Sequence, residues 1–444
     1  MGLTKQEFAI LSEKVLDMVE ADSAEVRLQE TEDLQVRSAN NDVTSNGFID
    51  RFQIGITVSY GKRSASIEIN QTEDEAIRDA VKKVEAMGKL APEDPEHLPP
   101  VEPGEYLTPI TFSEATAAMT PEEALAQVRP VIEQSRAAGV ESAGYLERSV
   151  GSSALANTNG LFIHQQSTGV KFSVTARAAE GRGSGWASAQ ATDLANFDPA
   201  PVGEKAIQKA LASRNAKERK AGRTTVVLEA PAVRDLLSIL SWNLGQRGFD
   251  EGRSFLNGLV GDDGELIGKQ LFGENATLYS DPLYEPAPCG VHSDGIPREK
   301  TMWIENGVVK NLMVPRYWAQ KNGTDPVPWP GNLIMPGEGK STEELIAGVE
   351  DGVLITRLWY LRQVQPQTLL YTGLTRDGTF AIKNGRVVGP VNNFRFNESP
   401  ANVLKNIVAS GKQERVLGSE SDSPAHVPAL VVKDFNLSSV SEAS

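Results

Sequence analysis

Prolines are concentrated in one short stretch of this 444-residue chain and limit what the chain can fold into. Residues 91–109 hold a proline at positions 92, 95, 99, 100, 103 and 109. Proline lacks the backbone N–H that a helix interior or a central strand requires, so this stretch can form neither. We therefore expect an exposed connection here, and we place the end of an N-terminal domain, residues 1–103, within it.

The residues before this stretch follow the order helix, strands, helix. Thr4 and Glu7 form a capping-box pattern ahead of apolar residues at helical spacing. The segments EVRLQE, DLQVRS, FQIGITVSY and RSASIEIN are strand-like, and a turn at 61–62 joins the last two. Thr72 and Glu75 suggest a second capping box. This order predicts a compact α+β domain.

A middle domain is predicted over residues 104–222. The TPEE sequence at 120–123 places a cap, a proline and a capping acid in order, and Pro130 should kink or end the helix that follows. The segments SALANT, LFIHQQ, VKFSVTARA and GWASAQA are strand-like, with a turn at 159–160. A helix is expected at 202–213.

The last domain is predicted over residues 223–444. An apolar helix is expected at 232–244, and most of the remainder is strand-like. Asn-Gly pairs at 306–307 and 384–385 lie between β-branched residues and predict tight hairpins. The expected fold class is multi-domain α+β, with antiparallel sheets, flanking helices and a C-terminal domain that is mostly β.

Composition excludes several classes of function. The formal net charge is −15, and a chain this acidic repels phosphate, so direct nucleic-acid binding is not expected. No apolar run reaches the roughly 18 residues that span a bilayer, so no membrane association is expected. The single cysteine, Cys289, excludes an internal disulfide. Together with an N-terminus unlike a secretory signal, it indicates the cytoplasm.

The four histidines define the search for a metal or nucleophile site. Their spacing forms no HExxH or HExxxH, which a helical zinc peptidase needs. Cys289, His292 and Asp294 are the one cluster of ligand-type residues, and they could share a metal or act as nucleophile and base. A glycine- and proline-rich turn explains the same residues without any function.

The order of several segments resembles the TldD/PmbA family, historically called modulators of DNA gyrase. The segments that carry the resemblance are YGKRSASIEINQTEDEAIRDAV, GLFIHQQSTGVKFSVTARAAEGRGSGW, DGIPREKTMWIENGVVKNLM, NLIMPGEGKSTEELI and FAIKNGRVVGPVNNFRF. Together they cover nearly the whole chain. In the family, TldD-type subunits are metallopeptidases with HExxxH on the helix that opens the last domain. PmbA-type (TldE) subunits lack these ligands and pair with the active subunit.

The matching helix near residues 237–242 contains no histidine or acid, which resembles the PmbA branch. The resemblance implies a non-catalytic subunit with no cofactor of its own, and zinc only in a TldD-like partner. It also implies a heterodimer with that partner or a homodimer, and a peptide substrate held by strand addition. The resemblance alone suggests these groove residues: Arg253, Ser254, Asn332, Pro336 and Gly337.

Two alternatives remain open at this point. The chain could be an independent hydrolase that uses Cys289 and His292, or a structural dimer with no role in peptide processing.

Overall fold

The computed structural model describes residues 2–179, 182–261 and 264–441. The elements of the N-terminal segment are α1 (Lys5–Leu16), β1 (Ser23–Ala39), β2 (Asp42–Tyr60), β3 (Arg63–Ile69) and α2 (Asp74–Leu90). Those of the middle segment are α3 (Glu114–Ala117), α4 (Pro121–Ala137), β4 (Val140–Asn157), β5 (Phe162–Ala178), β6 (Ser184–Ala191) and α5 (Pro199–Ala212).

The last segment contains the remaining elements. Its helices are α6 (Ala230–Ser241), α7 (Gln246–Asp250), α8 (Phe255–Val260), α9 (Arg316–Asn322), α10 (Thr342–Ala347) and α11 (Pro400–Lys405). Its strands are β7 (Gly222–Leu228), β8 (Leu278–Ser280), β9 (His292–Ser293), β10 (Ile296–Pro297), β11 (Thr301–Glu305), β12 (Val308–Val309), β13 (Leu333–Ile334), β14 (Asp351–Gln365), β15 (Leu370–Lys383), β16 (Arg386–Pro390), β17 (Asn393–Glu398), β18 (Ile407–Glu414) and β19 (Ala425–Ser441). The expected α+β class with flanking helices is confirmed.

Helix starts follow the predicted caps in two of three places. The capping boxes at Thr4 and at Thr120 are present. The box predicted at Thr72 is wrong, because α2 begins two residues later, at Asp74, without a side-chain cap. Asp74 pairs with Lys14 of α1 and places its charge in the first turn, where the helix dipole favours it.

Helix α4 does not end at Pro130, so one of the two outcomes predicted there is wrong, and the kink stays a prediction. Helix α4 runs through this proline without interruption, and Pro130 faces solvent. The opposite face carries Val128, Val131 and Ile132, which belong to a hydrophobic cluster with α5 and the sheet. Burial of that face offsets the one helical hydrogen bond that the proline removes.

A six-stranded antiparallel sheet joins the N-terminal and middle segments, in the order β3-β2-β1-β4-β5-β6. EVRLQE and DLQVRS, predicted as separate strands, are one strand, β1, which pairs with β2 on one side and β4 on the other. Even-numbered residues of β1 pack under helices, with Val26 beneath α1 and α2 and Leu34 beneath α4 and α5. The opposite face is turned toward the last segment of the chain. The three domain boundaries themselves stay a prediction.

Eleven of the strands described in the last segment form a mixed sheet, and β9 and β10 pair with each other separately. Five of them, β7, β14, β15, β17 and β19, each pair with two others of the set and so close into a ring. Both predicted Asn-Gly hairpins are confirmed, between β11 and β12 and between β15 and β16. Asn306, Gly307, Asn384 and Gly385 all have positive φ, as such turns require.

The proline-rich residues 91–109 contain no helix or strand, and contacts hold them against the protein. Glu96 forms a paired hydrogen bond with Arg247 at 2.7 Å through both carboxylate oxygens. The Tyr106 hydroxyl donates to the Gly295 carbonyl at 2.7 Å. The connection is therefore fixed along its length. No helix of the described residues is long and apolar enough to cross a membrane.

Candidate functional site

Helix α6 follows β7 directly and lies inside the core of the last segment. Every residue from Ala230 to Ser241 is buried except Ile239, which is partly buried. A helix that is apolar on nearly all sides is stable only in such a position. The helix predicted at residues 232–244 is therefore confirmed as an element, with ends at 230 and 241.

The two charged residues of α6 hold a distant loop in place. The Asp235 carboxylate accepts the N–H groups of Ser419 at 2.9 Å and Glu420 at 3.3 Å. The Arg234 guanidinium donates to the carbonyl oxygens of Ser421 and Ser423. Burial raises the pKa of Asp235 to about 6. Both side chains therefore bind the loop at residues 418–423.

The rest of α6 offers no zinc ligand. The buried positions after Asp235 are Leu236, Leu237, Ser238, Leu240 and Ser241, and serine hydroxyls and aliphatic chains are not zinc donors. The Ser241 hydroxyl donates to the Ser238 carbonyl at 2.9 Å. Within residues 2–179, 182–261 and 264–441, no three His, Cys, Asp or Glu side chains are grouped to hold a metal. The residues present do not fit a zinc ion.

A cavity of about 550 Å³, here called the tryptophan cavity, opens where α6 ends. Trp242 follows the last residue of α6, and its ring lies 5.4 Å from the ring of Trp329, centroid to centroid. Trp242 is 71% exposed and Trp329 is 41% exposed. Four prolines complete much of the apolar wall: Pro315, Pro326, Pro328 and Pro366. Large exposed aromatic faces of this kind are typical of binding surfaces.

Two of the five predicted groove residues line the tryptophan cavity. Arg253 is largely exposed and pairs with the carboxylate of Glu251. Ser254 caps α8, because its hydroxyl oxygen accepts the N–H of Leu256 at 3.2 Å. Arg316, on the opposite wall, donates to the carbonyl of Pro99 at 2.8 Å. The lining therefore combines apolar side chains with charged ones, and the charged ones include Asp294 as well as the arginines.

The other three predicted groove residues lie elsewhere and have structural contacts. Asn332 is 1% exposed, and its amide nitrogen donates to the carbonyls of Asp281 at 2.7 Å and Ala287 at 2.6 Å. Pro336 and Gly337 are exposed beside β18. A Cβ on Gly337 would lie 2.1 Å from the Gly411 carbonyl oxygen, so only glycine permits this close approach.

Part of the main chain of the cavity wall is already hydrogen-bonded. The Met313 N–H donates to the Leu244 carbonyl at 2.9 Å, and the Gln246 N–H donates to the Met313 carbonyl at 2.8 Å. Val314 and Val327 exchange hydrogen bonds at 2.9 and 3.0 Å. These main-chain groups are therefore not available for the strand addition expected from the sequence, which stays a prediction for other edges of the described sheets.

The predicted cluster at residues 289–294 is divided between two cavities. Cys289 is 5% exposed at the edge of a second cavity, whereas Asp294 lines the tryptophan cavity and lies 3.2 Å from Arg27. His292 Nδ1 accepts the N–H of Gly295 at 3.1 Å. No hydrogen bond joins the thiol to His292 or to any other described residue.

The pKa values of this cluster oppose nucleophilic chemistry. Burial raises the pKa of the Cys289 thiol to about 11, so it is protonated at neutral pH. Burial and the nearby Arg298 lower the pKa of His292 to about 4, so the imidazole stays neutral. The thiol therefore has neither a base beside it nor the lowered pKa that reactive cysteines show.

The aromatic pair Trp242 and Trp329 was missed by sequence reasoning. Trp242 ends a strongly apolar helix and so resembles a core residue in the sequence. Trp329 lies in the short sequence PVPWPG, whose prolines indicate an exposed loop. That loop signal, combined with a large aromatic residue, was the available hint.

Three family models of the PmbA/TldA metallopeptidases match this chain in order. They correspond to domain 1 at residues 24–88, the central domain at 107–214 and the C-terminal domain at 221–439. Together they cover most of the chain.

Two archaeal proteins are similar in sequence. An uncharacterized protein of Methanocaldococcus jannaschii is 29% identical over 184 residues, which is 40% of this chain and 41% of that protein. A protein of Methanothermobacter thermautotrophicus named metalloprotease is 23% identical over 291 residues, 60% of this chain and 61% of that protein. The matched parts thus span less than two thirds of either relative.

Solved structures share the fold over almost the full length. TldE from Thermococcus kodakarensis has a TM-score of 0.85 at 18% identity and covers 98% of this chain and 99% of that one. A protein described as a modulator of a DNA gyrase, from Thermotoga maritima, has a TM-score of 0.84 at 18% identity, with 97% and 99% covered. With three family domains in sequence and the same fold throughout, the chain belongs to the PmbA/TldD metallopeptidase family, also known as modulators of DNA gyrase.

Proposed function

We propose that this chain is a non-catalytic subunit of a cytoplasmic metallopeptidase complex that acts on unfolded peptides or small proteins. The proposal rests on the side chains of α6 and on what they bind. Its charged residues, Arg234 and Asp235, hold the loop at 418–423, and its remaining core positions are aliphatic or hydroxyl side chains. Such a helix offers no ligands for a zinc ion, whose bound hydroxide cleaves amides near neutral pH.

The tryptophan cavity is suited to bind part of a peptide substrate. Its volume of about 550 Å³ is in the range of sites for molecules the size of a few residues. Trp242 and Trp329 present apolar faces that accept many side chains. Selectivity for unfolded chains follows, because only an extended segment brings its side chains into a cavity of this size.

Catalysis in the proposed complex belongs to a partner chain. A TldD-type subunit with HExxxH would hold the zinc, and this chain would supply binding surface and part of an enclosed chamber. If the association is obligate, it should bury about 2,000 Å² or more. A second copy of this chain is the alternative partner, and it would form a dimer without peptidase activity.

The decisive experiment compares three samples with one unstructured, fluorogenic peptide. These are this chain alone, a TldD-type chain from the same genome alone, and the two mixed. We expect cleavage that requires the mixture and is abolished by a chelator. Chelator-resistant cleavage by this chain alone that is lost in Cys289→Ser would instead establish the cysteine hydrolase. If no sample binds or cleaves the peptide, the result would favour the structural dimer.

Variants of the tryptophan cavity test the binding role separately from assembly. Trp242→Ala removes an exposed ring, so folding should be unaffected, and peptide affinity should fall about tenfold, since a buried aromatic contact is worth roughly 1–2 kcal/mol. Trp359→Ala is the matched control, because Trp359 is also exposed but lies outside the cavity, on β14. Equal affinities for both variants would remove the tryptophan cavity from the proposal.

A further inference from the structure

The second cavity, here called the polar cavity, also has a volume of about 550 Å³. One wall is the face of the six-stranded sheet opposite its helices, including Gln29 and Thr31 of β1. The other wall comes from loops of the last segment, including Cys289 and Arg415. Hydroxyl and amide groups dominate the sheet wall, so an occupant must be polar to replace the water lost from these groups.

All but one of the cations that line the polar cavity are paired with carboxylates. Arg51 lies 3.3 Å from Asp33. Lys171 lies 2.7 Å from Glu147 and 3.1 Å from Asp422.

Arg415 is the exception. Within residues 2–179, 182–261 and 264–441 no carboxylate pairs with it.

The guanidinium of Arg415 is only partly satisfied. Its Nη1 donates to the Thr192 hydroxyl at 3.0 Å and to the Pro286 carbonyl at 3.1 Å. Its Nε is buried without an acceptor, and its Nη2 donates to no described residue. Burial lowers the pKa of Arg415 to about 10, which leaves the group charged at neutral pH. A partly buried cation without a carboxylate partner carries a desolvation cost, and an anion in the cavity would relieve that cost.

The loop wall adds neutral donors beside this charge. The main-chain N–H groups of Cys289, Gly290 and Gly331 have no acceptor among the described residues. Gly331 packs so closely on Cys289 that a Cβ there would lie 2.4 Å from the thiol sulfur. Unpaired N–H groups near a cation are the usual components of an anion site.

We propose that the polar cavity binds a small polar molecule with a single carboxylate, which Arg415 holds. The charge balance selects the ligand class. Among the described residues, three carboxylates and three cations line the cavity, so the lining is formally neutral, and a dianion would add twice the excess negative charge that a single carboxylate adds. One carboxylate matches one guanidinium in charge and in its two-oxygen geometry. The volume suits a molecule the size of an acylated amino acid or a dipeptide. This proposal does not depend on the peptidase role.

Cys289 makes the cavity directly testable, because it is the only cysteine of the chain and lies in the loop wall. Because the thiol is protonated at neutral pH, its alkylation by N-ethylmaleimide is measured at about pH 9, where a larger fraction is thiolate, and the rate then reports occupancy of the cavity. We would measure this rate with N-acetylserine, with N-acetylserine amide and with inorganic phosphate, and measure affinity by calorimetry. We expect N-acetylserine to slow alkylation and to bind at least tenfold more tightly than its amide or phosphate.

The role of Arg415 is tested by Arg415→Gln, with Arg395→Gln as the matched control. Arg395 is exposed and lies outside the cavity. Affinity for N-acetylserine should fall at least tenfold in the first variant and remain unchanged in the second. Should Arg415→Gln not fold, the comparison of acid and amide on the natural chain still decides. Equal binding of acid and amide, no binding of either at millimolar concentration, or tighter binding of phosphate would each overturn the proposal.

Discussion

A buried ion pair between the middle and last segments provides the sharpest test of how this chain is held together. Lys209 of α5 donates to the carboxylate of Glu229, the residue before α6, and to the Thr356 hydroxyl at 3.0 Å. The side chains of the pair are 11% and 7% exposed. Lys209→Met keeps the aliphatic stem but leaves the Glu229 carboxylate buried without its closest cation.

The expected cost follows from that burial. Removing one partner of a buried pair typically costs about 3–5 kcal/mol, because the remaining charge has lost its compensation. Lys205 lies 4.0 Å from Glu229 and retains part of the attraction, so we expect about 2–4 kcal/mol for Lys209→Met. In the double variant Lys209→Met/Glu229→Gln no uncompensated charge remains. Its stability should return to within about 1–2 kcal/mol of the natural chain.

Urea unfolding at pH 7, followed by tryptophan fluorescence and far-ultraviolet circular dichroism together, measures these differences. Lys310→Met is the control, because its pair with Glu305 at 3.0 Å is 39% and 47% exposed and should contribute less than about 1 kcal/mol. The reasoning fails if Lys209→Met costs no more than this control. It also fails if the double variant is less stable than the Lys209→Met single variant.

Two further predictions concern single residues. The pKa of His292 is about 4 in the folded chain because of burial and Arg298, so only the unfolded chain takes up a proton between pH 6.5 and 4. The folded chain therefore loses stability as the pH falls from 6.5 to 4. His292→Asn should reduce this loss by about 1–3 kcal/mol. Unfolding midpoints at pH 7 and pH 4.5 measure the difference. An unchanged pH dependence in the variant would contradict this assignment. Gly337→Ala should cost more than about 2 kcal/mol because its Cβ would lie 2.1 Å from the Gly411 carbonyl oxygen. Gly47→Ala, with no atom within 4 Å, should be near neutral, and equal thermal stabilities would contradict the packing argument.

Local sequence signals predicted most of the local structure whose partners are neighbouring residues, although the capping box at Thr72 is absent. The capping boxes at Thr4 and Thr120 form because cap and acceptor are three residues apart. The hairpins at 306–307 and 384–385 form because Asn-Gly adopts positive φ at little cost. Pro130 shows the limit of such signals, since long-range packing of α4 outweighs one local rule.

The candidate site depended on contacts that no local pattern contains. Arg253 and Ser254 line the tryptophan cavity, whereas Asn332 is buried and Gly337 is a packing residue. Cys289 and its neighbours, close in sequence, open on different cavities because a turn directs successive side chains to opposite sides.

The sequence by itself determined the family, the absence of HExxxH and the capping boxes and hairpins named above, because motif spacing and hydrophobic periodicity are properties of consecutive residues. Only the tertiary structure decided that β1 and β4 join two segments in one sheet, that Trp242 meets Trp329, and that Arg415 is left without a carboxylate. These features join residues 87 to more than 100 positions apart. Pairing over such distances is set by how the whole chain packs, and no local preference specifies it.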